Sequence, residues 1–141
     1  MSEILTFEGF KQVSNHYQFR DYESTDFEFA LSKIEEMIEV EKIKEFYCKD
    51  LFDKEKSSSL YFFFETKFYL VTTNGENFNL KTYSYEEIKQ YNLEIERPYK
   101  EIVTLKFSVN SEEFVFSSEK DSNESWNNKF AQKIKEITKL F

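Results

Sequence analysis

The sequence predicts an α+β protein in which two N-terminal helices precede seven strands that form one strongly bent antiparallel sheet or barrel, closed by a C-terminal helix. Three observations predict this class. The spacing of apolar residues changes from near 3.6 to near 2 after about residue 42, which is typical of helices giving way to strands. Seven short segments rich in aromatic and β-branched residues follow. Beyond residue 121 the spacing becomes helical again.

Two helical patterns occupy the first 42 residues. Thr6 precedes the first one, where its hydroxyl can accept a hydrogen bond from a backbone N–H of the first turn. The apolar residues of this helix recur at steps of three and four: Phe7, Phe10, Val13 and Tyr17. The second helix begins with capping oxygens at Ser24–Asp26 and has an apolar stripe: Phe27, Ala30, Leu31, Ile34, Met37 and Ile38. Its opposite face is acidic: Glu28, Glu35, Glu36 and Glu39.

Alternating polarity defines the strands after residue 42. Alternation is clearest in Ile102–Val109, which therefore buries one face and exposes the other. Turn signals separate the strands, among them Asn74-Gly75 and Asn110-Ser111. The stretch Ser84–Gln90 predicts one helical turn. The predicted strands are Ile43–Asp50, Leu60–Glu65, Lys67–Thr73, Phe78–Tyr83, Tyr91–Glu96, Ile102–Val109 and Glu113–Ser118.

The C-terminal helix has the most regular apolar stripe in the chain, with steps of four, four, three and four: Trp126, Phe130, Ile134, Ile137 and Phe141. Asp121, with Glu124 three residues later, predicts a capping box at its start. Such a stripe suits a helix that closes the open end of a bent sheet.

Composition and charge exclude several classes of function. The chain has 141 residues, which suits a single domain, and its 17 Phe and 9 Tyr exclude disorder. Acids outnumber bases by 27 to 19, so nucleic acid and strong membrane binding are not expected. Cys48 has no disulfide partner, and no basic and apolar leader follows Met1, so we expect a cytoplasmic protein. Lysine supplies all cations except Arg20 and Arg97, a bias that suggests a bacterial source.

The residues give little support for catalysis or for a cofactor. His16 is the only histidine and Cys48 the only cysteine, so the usual structural zinc sites are excluded and no metal is expected. Two glycines cannot build a loop that cradles phosphate groups. Adjacent carboxylates such as Glu86 and Glu87 point in different directions on regular elements. We therefore expect a non-catalytic protein without a cofactor.

Two stretches resemble bacterial pleckstrin-homology-like domains. Phe62–Asn74 (FFFETKFYLVTTN) is similar to their apolar strand, tight turn and second apolar strand, and Leu80–Ile95 (LKTYSYEEIKQYNLEI) is similar to their strand, short polar link and next strand. Seven strands followed by one amphipathic helix is also their element order. The resemblance covers roughly residues 43–141. It implies a single domain 1–141, made of a pleckstrin-homology-like part, 43–141, and an N-terminal helical extension, 1–42.

The resemblance implies a protein-interaction or scaffold role. Lipid-binding members hold phosphates with Lys and Arg on the first two strands and their loop, but here Asp53–Lys56 is charge-balanced and Leu60–Glu65 carries no base. Phosphoinositide binding is therefore not expected. The superfold instead offers a groove between its fifth strand and its last helix, bordered here by Tyr91–Glu96 and by the helix face around Lys129 and Lys133.

Four tyrosines mark the expected partner surface, because tyrosine gives contact area at a small entropic cost. They are Tyr83, Tyr85, Tyr91 and Tyr99. The partner would be another protein or a second copy, and the acidic helix face of residues 28–41 would cover Lys129 and Lys133. An alternative stays open: a cone of the cystatin or nuclear-transport-factor-like kind, with an aromatic-lined pocket for a small ligand or an enzymatic reaction.

Overall fold

The computed structural model describes residues 4–16, 24–50, 58–73 and 77–141, and it confirms an α+β protein with a C-terminal helix. The helices are α1 Phe7–His16, α2 Ser24–Met37 and α3 Asn127–Thr138, with 3₁₀ turns at Val40–Lys42 and Tyr85–Glu87. The strands are β1 Glu45–Lys49, β2 Ser59–Phe63, β3 Lys67–Thr73, β4 Phe78–Ser84, β5 Ile88–Glu96, β6 Ile102–Val109 and β7 Glu112–Ser117.

Most predicted boundaries agree with these elements to within two residues, while β5 begins three residues earlier than expected. Thr6 does begin the first helix, since its hydroxyl oxygen accepts from the Gly9 N–H at 3.1 Å. Asn110 and Ser111 have φ angles of 50° and 75°, which form the two-residue turn between β6 and β7. Other predictions lie outside the described residues or side chains: Tyr17, Asp53–Lys56, Asn74-Gly75, and the side chains of Val13, His16 and residues 24–27.

The seven strands form two antiparallel sheets rather than one bent sheet or a closed barrel. The first sheet has the order β1-β2-β3-β4 and the second β5-β6-β7. The break falls at the turn Tyr85–Glu87, where the Ser84 hydroxyl accepts from the Glu86 N–H and the Tyr85 N–H donates to the Thr66 carbonyl. These bonds hold the turn against the β2–β3 connection, so the chain leaves the first sheet there and β5 pairs with β6.

One face of the first sheet is covered by the N-terminal segment. The Phe7 ring lies 5.5 Å from the Phe62 ring and the Phe10 ring 5.4 Å from the Phe46 ring, measured between centroids. The Cys48 thiol donates to the carbonyl of Ile4 at 3.8 Å. All of these side chains are buried in one cluster, so the N-terminal segment contributes to the core.

The other face of the first sheet packs against the second sheet and α3. Tyr47 on β1 stacks on Phe116 of β7 at 4.3 Å and meets Phe130 of α3 edge-on at 5.5 Å. The predicted stripe of α3 is confirmed as its packing face, with Phe130, Ile134 and Ile137 fully buried. The strands β1 and β2 are thus buried on both faces, which explains why Leu60–Phe64 is an uninterrupted apolar run.

Asp121 does not cap α3, so the predicted capping box is wrong. The helix begins at Asn127 after Trp126, whose side chain makes no capping bond. Asp121 is instead buried, and its carboxylate accepts from the Tyr47 hydroxyl at 2.6 Å and from the Lys49 ammonium at 2.8 Å. A third bond comes from the Ser117 N–H at 2.8 Å. A buried carboxylate needs such partners, and this one joins β1 to the end of β7.

Replacing Phe10 by Ala tests whether the N-terminal segment is core. We expect Phe10→Ala to lower the free energy of unfolding by about 3–5 kcal/mol, because it empties a fully buried site. The matched control is Phe29→Ala on α2, whose ring is 40% exposed and should cost less than about 1 kcal/mol. Urea denaturation measures both values, and equal losses would contradict the assignment.

The buried carboxylate gives a second prediction. Asp121→Asn removes the charge that balances Lys49, so we expect a loss of about 2–5 kcal/mol in the free energy of unfolding. Glu101→Gln serves as control, because Glu101 pairs with Lys135 near the surface and such pairs contribute less than about 1 kcal/mol. Thermal and urea unfolding should show a clearly larger loss of stability for Asp121→Asn than for Glu101→Gln. If Asp121→Asn loses no stability, the structural role of the buried Asp121 carboxylate is refuted.

Candidate protein-interaction edge

Strand β5 leaves one of its edges without a neighbouring strand in the described part of the chain. Its Tyr91, Leu93 and Ile95 stand opposite Phe107, Leu105 and Val103 of β6. Those three partners are buried, so the three β5 residues share the face that points toward the core. Even so, Tyr91 is 45% and Ile95 46% exposed, because nothing in the described structure covers them fully. We call this strand border, with these three side chains, the β5 edge.

The end of the chain lies beside the β5 edge. The Phe141 ring is 4.9 Å from the Phe107 ring and 5.7 Å from the rings of Tyr91 and Tyr85, between centroids. Phe141 is itself only half-buried. The last residues after α3 therefore border the β5 edge with a further aromatic side chain.

Two of the four predicted tyrosines are part of the packing. Tyr83 stacks on Phe68 at 4.9 Å, and its hydroxyl donates to the Glu112 carboxylate at 2.8 Å. The Tyr85 hydroxyl donates to the Phe64 carbonyl at 2.6 Å. Burial, with help from Glu112, raises the pKa of Tyr83 to about 12, and burial also raises the pKa of Tyr85. Both hydroxyls therefore stay protonated and bonded at neutral pH.

The other two tyrosines reach solvent. Tyr91 belongs to the β5 edge, and Tyr99, in the connection from β5 to β6, is 99% exposed. The structure joins Tyr91 to Tyr85 through the Phe141 ring and Tyr85 to Tyr83 through Phe68. Of the predicted tyrosine patch, only Tyr91 and Tyr99 thus present a large area to a partner.

The two predicted lysines lie beside β1. The Lys133 ammonium is 2.5 Å from the Glu45 carboxylate on β1 and 3.8 Å from that of Glu136. The Lys129 ammonium lies 4.9 Å over the Trp126 ring. Both line a shallow cleft of about 200 Å³ with Leu5 and Thr6. Lys135 of α3 reaches the β5–β6 connection, where it pairs with Glu101.

The acids of the N-terminal helices have basic partners near them in sequence or in α1. Glu35 pairs with Lys11 of α1 at 2.8 Å, Glu36 with Lys33 at 3.2 Å, and Glu39 with Lys42 at 2.8 Å. These ion pairs balance the charge of three acids on the face of residues 28–41, and they involve neither Lys129 nor Lys133.

One cleft is open to solvent and carries mixed charges. It has a volume of about 660 Å³ and lies between the Val40–Lys42 turn and the β2–β3 connection. Glu39 and Lys42 form an ion pair there, and the hydrogen bond from Lys42 lowers the pKa of Glu39. The Glu39 carboxylate therefore acts as the charge partner of Lys42. The remaining lining residues are Met37, Glu41, Lys44, Phe64, Glu65, Thr66, Lys67 and Tyr69.

Neither a metal centre nor a membrane span is found in the described ranges. No group of three His, Cys, Asp or Glu side chains there is placed to hold a metal ion. None of the helices described is long and apolar enough to cross a membrane.

Aromatic rings contact each other in the space between the sheets. Phe107 stacks on Phe114 at 5.0 Å, and Tyr61 lies edge-on to Phe116 at 4.8 Å.

The sequence pattern of one family, described as "Protein of unknown function (DUF3908)", matches residues 8–132. The chain belongs to the DUF3908 family. We found no match among curated proteins or among solved structures. The matched range spans α1, α2, all seven strands and part of α3, so the DUF3908 pattern includes the N-terminal helices together with both sheets. The family description supports neither the pleckstrin-homology-like classification nor a biochemical role.

Sequence reasoning named the strand Tyr91–Glu96 as a groove border but singled out neither Leu93 nor Ile95 within it, and it did not place Phe141 beside that strand. A signal for the first two was present, because Tyr91, Leu93 and Ile95 alternate with polar residues along one face of a strand. The missing information was exposure, since the same alternation in β6 is buried. Phe141 was assigned to the packing stripe of the last helix, and its position next to Tyr91 depends on where α3 ends.

Raised tyrosine pKa values predict how the stability of this DUF3908 chain depends on pH. A tyrosine that holds its proton more tightly when folded stabilises the fold fully below pH 10, and this contribution is lost as the pH rises toward 12. We therefore expect the free energy of unfolding to fall above about pH 10.

The slope of this decline with pH is proportional to the number of protons released on unfolding. Tyr83→Phe should reduce the slope by the equivalent of up to one proton per molecule, because it removes one group with a raised pKa. Urea unfolding at a series of alkaline pH values measures the slope. An unchanged slope in Tyr83→Phe would show that the pKa of the Tyr83 hydroxyl is not raised in the wild-type protein.

Proposed function

We propose that this chain is a non-catalytic protein-interaction module, which binds an extended segment of another chain along the β5 edge. The observation that carries the proposal is a nine-residue strand with a free edge and two large apolar side chains near half exposure. A free strand edge presents backbone N–H and C=O groups that an added strand can satisfy. In the described part of the chain β1, β4 and β7 also have an edge without a neighbouring strand, and β5 differs from them in exposing two large apolar side chains, Tyr91 and Ile95.

The side chains of the β5 edge would supply specificity. In an added strand every second residue faces the same side, so alternate residues of the partner would pack on Tyr91, Leu93 and Ile95. On the opposite side the exposed β5 residues are polar: Gln90, Asn92, Glu94 and Glu96. We therefore expect the partner segment to alternate apolar residues with polar or basic ones.

We further propose that the architecture is of pleckstrin-homology-like type. The resemblance of Phe62–Asn74 and Leu80–Ile95, the order of seven strands and the closing helix support this assignment. The groove expected between the fifth strand and the last helix would then be bordered by the β5 edge, Phe141 and Lys135. The single buried thiol supports a cytoplasmic setting for this role, and the predominance of lysine over arginine supports a bacterial one.

A small-ligand or enzymatic role is less well supported than an interaction role. A ligand pocket usually has apolar walls with a few convergent polar groups. The cleft of about 660 Å³ has ion-paired charges at its rim, and aromatic rings contact each other between the sheets. The β5 edge is the feature for which the packing alone gives no account.

Selection of displayed peptides against the full chain tests this proposal. The variant is Ile95→Lys, which places a charge on the β5 edge, and the matched control is Val115→Lys. Val115 lies on β7 of the same sheet, is 38% exposed and pairs with the exposed Lys106. We expect the selected peptides to bind the wild type and Val115→Lys equally and to lose at least about tenfold in affinity for Ile95→Lys.

Two results would contradict the proposal. In the first, the selected peptides bind Ile95→Lys as well as they bind the control, which would place their site elsewhere. In the second, no peptide is enriched over a selection without the protein. Circular dichroism of both variants would show that the substitutions leave the fold intact, as expected for exposed positions.

A further inference from the structure

We infer that the segment bound at the β5 edge is β5 of a second copy of this chain, in an antiparallel dimer centred on Leu93. The inference deepens the proposed function and rests on it. The two copies would be related by a two-fold axis through the sheet, which joins two three-stranded sheets into one of six strands. Such an axis keeps the faces of the two sheets aligned, so core-facing residues stand opposite core-facing residues.

Centring on Leu93 pairs every apolar residue of the β5 edge with another one. Leu93 stands opposite Leu93 of the second copy, and Tyr91 stands opposite Ile95 in both directions. Cross-strand pairs of aromatic and β-branched residues are among the most favourable in antiparallel sheets. The exposed areas of Tyr91 and Ile95 would thus be covered by each other.

Neighbouring registers do not give this match. If the axis passes through Asn92, the Ile95 side chain meets Lys89 of the second copy. If it passes through Tyr91, the Leu93 side chain meets Lys89. Either shift therefore sets Lys89 opposite an apolar residue. In the Leu93 register Lys89 instead stands opposite Arg97, the residue that follows β5.

The solvent face of β5 is also self-complementary in this register. Glu94 stands opposite Asn92, and Glu96 stands opposite Gln90. Each carboxylate therefore faces a side-chain amide that can donate a hydrogen bond, and no carboxylate faces another. Lys89 lies in the irregular part of β5, where the regular alternation of the two faces is interrupted.

Charge and size set the expected strength of the dimer. Each copy carries a net charge of −8, so the two repel each other at long range. One strand pair with three apolar residues a side is smaller than the roughly 800 Å² per partner of a standard stable interface. We therefore expect a dissociation constant in the micromolar range, and tighter association as added salt screens the repulsion.

Cysteine substitutions in the full chain test the register directly. The native Cys48 is fully buried and should not interfere. Opposite residues in an antiparallel pair have Cα atoms about 4.5–5.5 Å apart, within the range of a disulfide. Under mild oxidation we expect Leu93→Cys to form covalent dimers at least about tenfold faster than Asn92→Cys and Tyr91→Cys. Val115→Cys is the control for random collision.

Sedimentation of the protein without engineered cysteines completes the experiment. The wild type and Val115→Lys should shift from monomer to dimer with increasing concentration, whereas Ile95→Lys should stay monomeric. Preferential cross-linking at position 91 or 92, or equal cross-linking at all positions, would overturn the inference.

The failure of this inference can be told apart from the failure of the proposed function. If the wild type stays monomeric and Leu93→Cys does not cross-link, while Ile95→Lys still weakens the selected peptides, then self-pairing is wrong and the binding edge remains. If Ile95→Lys affects neither the peptides nor the association, the β5 edge has no role and both are overturned.

Discussion

Tyr47 connects the parts of the fold that lie far apart in sequence. Its ring stacks on Phe116 of β7 and meets Phe130 of α3, while its hydroxyl donates to Asp121. Burial, reinforced by the Asp121 charge, raises the pKa of Tyr47, so the hydroxyl remains a donor. The second sheet is therefore anchored to the first through β7. Because the order in that sheet is β5-β6-β7, the strand farthest from this anchor is β5, whose outer edge has no neighbouring strand in the described part of the chain.

Local sequence was enough for the strands and for the last helix, and not for their arrangement. The alternation of β6 and the stripe around Ile134 are set by residues near in sequence, so they could be read without a structure. The division into two sheets depends on the bond from Tyr85 to Thr66, which no local pattern records. Asp121 was misassigned for the same reason, because its partners on β1 lie more than seventy residues away.

The candidate site shows the same division between local and long-range information. Tyrosine content drew attention to residues 83–99, but it could not separate Tyr83, which is held by Phe68 and Glu112, from Tyr91 at the open strand. Lys133 likewise matched the expected groove by its position on the last helix, and Glu45 of β1 determines where its ammonium lies. Exposure is a property of the folded chain, and residue type alone does not give it.

Burial of β1 and β2 on both faces has a consequence for local unfolding. The backbone amides of these two strands are shielded by rings on either side, from Phe10 to Phe116, so their opening requires the N-terminal helices and the second sheet to separate at once. Amide hydrogens there should exchange with solvent only through global unfolding. At the rim of the second sheet, the more exposed strand Ile88–Glu96 should open at a lower free-energy cost, so its amide hydrogens should exchange faster than those of β1 and β2.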